Sequence, residues 1–181
     1  MKVEPTPSQT VGPYFALMLR DELLTMGPPG LPGALLLAGT VLDGAARPVT
    51  DAMLELWQAD AAGRYVVDDP AAATPPGFTG FARVPTDTWG RYRVEIVKPG
   101  RVGAAAPHIA VSVFARGLLQ RLVTRVYFPD EQAANAADPV LAGVDPARRG
   151  TLVASAQEGG ALHYDVRLQG PGETAFFGVA R

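Results

Sequence analysis

Apolar and polar residues alternate with a period of two through much of this chain, in runs that are short and closely spaced. Ala52–Gln58 sets Met53, Glu55 and Trp57 against Leu54 and Leu56. Arg91–Val97 keeps Tyr92, Val94 and Ile96 in phase, and Ala161–Leu168 does the same with Leu162, Tyr164, Val166 and Leu168. Successive strand side chains point to opposite faces, so each pattern predicts a half-buried strand. Leu35–Leu42 is an almost unbroken apolar run, and His108–Phe114 and Leu122–Phe128 are two further strong β segments. Turn signals separate them: Asp43-Gly44, Asp60 to Gly63 leading into Arg64–Val67, Asp87 to Gly90, and Lys98-Pro99-Gly100. Residues 130–135 and 138–149, rich in Ala and Asp-Pro starts, predict a loop and short helical turns. Seven or so strands with turns between them predict an all-β fold, an antiparallel sandwich or barrel.

The N-terminus breaks this pattern. Residues 5–15 have two prolines, then Val11-Gly12-Pro13-Tyr14-Phe15, with no helical or strand period, and are expected to form an ordered extended arm. Residues 16–26 have the composition of a short helix, and Gly27 to Gly33 reads as a stiff linker. The expected division is therefore an arm and linker over 1–33 and a β domain over 34–181, with no internal repeat. Twenty Gly and seventeen Pro in 181 residues fit many short strands better than a helical bundle. With no cysteine, the chain has no disulfide framework, thiolate metal site or cysteine nucleophile. A net charge of −2 is a poor match to nucleic acid or an anionic membrane. No apolar run approaches the roughly 20 residues of a membrane span, and no signal peptide is visible, so a cytoplasmic location is expected.

Candidate chemistry is sparse. His108 follows a proline and opens an apolar strand, a position that suits either a metal ligand at a sheet end or a partly buried imidazole bonded to backbone. His163 falls on the polar face of its strand and reads as a surface residue. Ser8, Ser112 and Ser155 lack a nucleophile elbow and a nearby base. Arg116, Arg121 and Arg125 form either a solvated edge or a fork for a carboxylate. These residues alone leave the function undecided.

Longer strings decide more. Leu54-Glu-Leu-Trp-Gln-Ala-Asp-Ala-Ala-Gly-Arg-Tyr65 resembles a signature of the intradiol ring-cleavage dioxygenases. Thr86 to Arg93 followed by Val97-Lys-Pro-Gly100, then Ala106 to Gly117 and Thr124 to Glu131, resemble successive segments of the same family. The opening Thr6 to Tyr14 and the ending Gly170 to Phe177 resemble its iron-free subunit type in particular. The resemblance implies an antiparallel β-sandwich and, in metal-binding members, a ferric ion held by two tyrosines and two histidines. Phenolates are hard anionic donors that suit Fe(III), which acts as a Lewis acid on a bound catechol.

Here only Tyr65 and His108 stand at ligand-like positions. Position 110, where metal-binding members carry a second histidine, is Ala, and residues 101–107 read Arg-Val-Gly-Ala-Ala-Ala-Pro without the second tyrosine. The expectation is that this chain holds no metal and that Tyr65 and His108 are relics. The resemblance then implies a partner, a homologous iron-binding subunit, in a higher-order hetero-oligomer acting on 3,4-dihydroxybenzoate and O2. It places Thr10, Gly12, Pro13 and Arg116 on the wall of the partner's substrate pocket, with no catalytic residue in this chain alone. Two rival readings are an inactive sandwich serving as a binding scaffold, and an intradiol enzyme for another catechol.

Overall fold

A computed structural model describes residues 7–10, 12, 26–27, 30–66 and 76–178. The helix expected over 16–26 lies, but for Met26, outside the described residues, as does Pro13. Among the described residues, nine strands form two facing sheets. The first is built on β1 (Ala34–Leu42), flanked by β4 (Arg91–Val97) on one side and by β8 (Leu162–His163) on the other, with β7 (Ser155–Ala156) beyond β8. The short β9 (Val166–Arg167) also pairs with β1. The second sheet runs β3 (Phe81–Pro85), β2 (Met53–Trp57), β5 (His108–Phe114), β6 (Leu122–Tyr127).

The two-residue period decides which side chains meet between the sheets. Leu37, Val41, Val94 and Ile96 from the first sheet and Leu54, Leu56, Ile109, Val111 and Val113 from the second are all buried in one core. Each contributes roughly 1.5–3 kcal/mol by leaving water, which is enough to specify the register. Three short helices, α1 (Gln132–Ala137), α2 (Pro139–Ala142) and α3 (Pro146–Arg149), follow β6. They close a smaller core of Ala106, Tyr127, Ala134, Leu141, Leu152 and Ala175.

Three details depart from the sequence reading. The strand expected over 161–168 is two strands, and both pair with β1 in parallel. The break falls at Tyr164-Asp165, where the Asp165 carboxylate accepts the Thr40 N–H at 2.7 Å in place of a ladder carbonyl. Arg64–Val66 belongs to neither sheet. Strand β3 was not foreseen, because the short Phe-Ala-Arg-Val-Pro segment is defined by its pairing with β2 rather than by its own pattern.

The turns share a device that no residue pattern announced. In the loops Asp43–Arg47, Asp60–Arg64 and Asp87–Arg91, one carboxylate oxygen accepts the N–H groups two and four residues on, at 2.8–2.9 Å. The other oxygen accepts the arginine Nε at 2.9–3.0 Å. The fourth residue of each loop has positive φ: Ala46 at 59°, Gly63 at 79° and Gly90 at 70°. Glycine tolerates that conformation freely and alanine does not. Asp43-Gly44 is thus the start of a five-residue loop whose left-handed residue is Ala46.

Candidate functional site

The loop Asp60–Arg64 sets the position of Tyr65. It docks on the 100–101 segment: the Gly100 N–H bonds the Asp60 carbonyl at 2.8 Å, and a Cβ at Gly63 would lie 2.0 Å from the Arg101 carbonyl oxygen. Asp60 itself is buried. Burial works to raise its pKa, but the Arg64 side chain and the N–H groups of Arg64 and Ala62 outweigh that and hold it below its ordinary value. Tyr65 then lies against Trp57, with ring centroids 4.7 Å apart.

His108 stands at the same end of the second sheet. The β2–β5 register pairs Trp57 with Ala110, two residues along the strand from His108 and on the same face. The His108 Nδ1 is 2.7 Å from the Ala106 carbonyl, which only accepts, so Nδ1 carries the proton and Nε2 the lone pair. Burial lowers its pKa; the Ala106 bond and Asp138 act the other way, while Arg125 adds to the lowering. The imidazole is therefore neutral at pH 7. Behind it, Tyr127 lies 5.9 Å away ring to ring. Asp138 organises this support by accepting the Tyr127 hydroxyl at 3.1 Å and the N–H groups of Ala106, Val140 and Leu141 at 2.8 Å.

These donors do not fit a ferric ion. Tyr65 and a correctly tautomeric His108 remain, but residue 110 is Ala, and 101–107 offers no phenolate, imidazole or carboxylate. The Tyr127 hydroxyl is engaged by Asp138 and, at 3.4 Å, by Arg125. No group of three or more His, Cys, Asp or Glu is placed to hold a metal among the described residues.

The arm residues meet elsewhere, at the turn between β5 and β6. The Thr10 hydroxyl accepts the Gly117 N–H at 2.9 Å and the Gly12 N–H at 3.4 Å. Gly12 has φ of 66°, and a Cβ there would touch nothing within 4 Å among the described residues. Arg116 is the neighbour of Gly117; its Nε lies 3.2 Å from the Asp51 carboxylate, with 69% of the side chain exposed. Thr10, Gly12 and Arg116 are thus brought together within this chain. Arg121 lines a small hollow with Gln9 beside the same turn, whereas Arg125 faces Tyr127. Sequence reasoning missed Trp57, Tyr127 and Asp138 as site residues. The signal for Asp138 was present as Asp138-Pro139, a helix-start pair whose cap it provides.

Fold and site together define a two-sheet β-sandwich with Trp57, Tyr65 and His108 at one end of the second sheet and Thr10 bonded to the turn between β5 and β6. The chain belongs to the intradiol ring-cleavage dioxygenase family, an oxidoreductase family; the family model described as Dioxygenase matches residues 12–170. It is 51% identical to the protocatechuate 3,4-dioxygenase alpha chain of Burkholderia cepacia, over 98% of both chains. It is 40% identical to the beta chain from the same organism, over 75% of this chain and 64% of that one. Among solved structures, the dioxygenase domain of a dioxygenase and carbohydrate-binding protein fusion from Streptomyces sp. SirexAA-E superposes with a TM-score of 0.64 at 27% identity, covering 95% of this chain and 100% of that one.

Proposed function

We propose that this chain is the iron-free alpha subunit of a protocatechuate 3,4-dioxygenase. The observation that carries this reading is the end-to-end similarity to an alpha chain, against a shorter and weaker match to a beta chain. In the complete enzyme, the ring of 3,4-dihydroxybenzoate is cleaved between its hydroxyls, both atoms of O2 enter the product, and 3-carboxy-cis,cis-muconate results. Fe(III) belongs to a homologous beta subunit, and this chain supplies pocket wall and assembly surface. Residues 1–33 serve as the arm and linker and 34–181 as the sandwich.

The wall reading rests on Thr10, Gly12 and Arg116. The Thr10 bond to Gly117 ties the arm to the residue beside Arg116. An exposed guanidinium there suits the carboxylate of an incoming substrate. Pro13, in the same segment, is expected to stiffen the wall. The degenerate centre keeps Trp57, Tyr65 and His108 as packing rather than as ligands.

Co-expression tests the proposal. Purified alone, the chain is expected to be nearly iron-free and inactive. Purified with a homologous chain carrying both Tyr and both His, it is expected in a stoichiometric complex that consumes O2 with 3,4-dihydroxybenzoate. Stoichiometric ferric iron in the lone chain, or no association with such a partner, overturns the reading.

A further inference from the structure

The outer face of the first sheet, remote in sequence pairing from Tyr65 and His108, carries a cavity of about 550 Å³, within the usual range for small-molecule sites. Its shape follows from register. Ala38 on β1 is paired with Arg93 on β4 and with His163 on β8, and Thr40 is paired with Arg91. Small side chains on the central strand between longer ones on both neighbours make a trough. Two inter-strand steps of about 4.8 Å separate its walls. Pro85 and Asp87, at the corner where the chain crosses from β3 to β4, close one end.

Most of the polar side chains around the trough are paired, and the exception is informative. Arg91 pairs with Asp87 at 3.0 Å and stacks over Trp89. His163 pairs with Asp165 at 3.0 Å. Arg93 is exposed, and among the described residues its guanidinium has neither a carboxylate nor a carbonyl partner. Its backbone N–H has no partner among the described residues either. The Val41 N–H bonds the Gly90 carbonyl, so the ladder alternation assigns Tyr92, Val94 and Ile96 to β1 and turns the N–H of Arg93 to the free edge of β4. The same edge is already covered at Arg91 by Asp87, and at Glu95 by Met26.

We propose that this trough binds a monocarboxylate with a compact apolar body. One arginine without a partner among the described residues matches one carboxylate, and the planar fork matches its geometry. The floor of Ala38 and the wall of Pro85 receive the body. With Arg91 already held by Asp87, a second carboxylate or a phosphate finds no further unpaired cation in the trough among the described residues, which disfavours dicarboxylates and phosphate. The site shares no residue with the arm, with Arg116 or with the degenerate centre, and it stands whether or not the subunit assignment does.

Cyclohexanecarboxylate is a suitable probe because it is apolar, singly charged and transparent at tryptophan wavelengths. The full chain, in whatever assembly it purifies, carries the substitution Trp57→Phe so that Trp89, the other of its two tryptophans, reports the trough rim. The expected result is a saturable fluorescence change, matched by calorimetry. Arg93→Gln should weaken binding about tenfold or more, as loss of one charge-assisted contact does. Ala38→Leu should weaken it similarly by filling the floor. Unchanged thermal melting of both variants separates lost binding from lost fold, and if Ala38→Leu melts lower, Arg93→Gln alone decides. No saturation by about 10 mM, corresponding to an affinity too weak to matter, overturns the proposal. So does binding that Arg93→Gln leaves unchanged, and so does binding of succinate or inorganic phosphate as tight as that of the probe.

Discussion

Among the described residues, Ala46 is the one non-glycine with a positive φ. It occupies the left-handed position that Gly63 and Gly90 fill in the two sister loops. Ala46→Gly is expected to stabilise the chain by about 0.5–1 kcal/mol, seen as a higher urea midpoint at unchanged slope. A lower midpoint would mean that the loop does not hold this conformation in solution. The same comparison separates the three aspartates. Asp60 is buried while Asp43 and Asp87 face water, so Asp60→Ala should cost about 2–3 kcal/mol through the loss of charge-assisted bonds, and the other two changes less. At the arm, Thr10→Val removes the acceptor of the Gly117 N–H. If the arm forms the pocket wall, kcat/KM of the complete enzyme falls while iron content and assembly mass stay the same. Dissociation of the complex before any loss of activity would instead make the arm a purely structural clamp.

Between elements, the tightest junction lies where β1 passes the break between β8 and β9. A Cβ on Gly39 would sit 1.8 Å from the Tyr164 carbonyl oxygen, which also accepts the Tyr92 hydroxyl at 2.5 Å. Gly39→Ala therefore has to separate the strands or break that bond. It is expected to cost at least about 2 kcal/mol, read from urea unfolding, whereas Gly150→Ala, with nothing near its Cβ, should be close to neutral. Gln58 ties the two sheets together from the other side, donating from Nε2 to the Val97 carbonyl at the end of β4. Asp138 has the corresponding role for α2, capping the helix while holding Ala106 and Tyr127.

For the molecule as a whole, these buried groups set the pH limits of folding. The Asp60 and Asp138 carboxylates are held below 3.8, the N–H and hydroxyl donors around them outweighing the effect of burial. Their contribution is complete above the unfolded value and is lost as pH falls through the lower folded value, so stability should decline in acid below about pH 4. Burial, partly opposed by Arg125, pushes Tyr127 up to about 12. The unfolded chain loses that proton near 10 while the folded chain keeps it, so stability should fall again between pH 10 and 12. Urea midpoints across pH should show a plateau with both shoulders, and Tyr127→Phe should lessen the alkaline one without removing it, because burial raises Tyr92 and Tyr164 as well. No helix among the described residues is long and apolar enough to cross a membrane.

The strands Met53–Trp57 and Arg91–Val97 were legible from their period of two, and Leu35–Leu42 and His108–Phe114 as strong apolar β segments, because a sandwich needs one face of each strand in oil. The residue at 110 needs no structure to be read, since an alanine cannot donate to a metal in any fold. Pairing was not legible. Whether Leu162 and Val166 run parallel to β1, and whether Phe81–Pro85 forms a strand, depends on hydrogen bonds to residues more than twenty positions away. Nor does any local pattern say that Thr10 meets Gly117, that Trp57 lies beside Tyr65, or that Arg93 and His163 face each other across Ala38. Side-chain chemistry is a property of the residue, and it survives translation into sequence. Juxtaposition is a property of the packed sheets, and only burial of their common core brings these residues together.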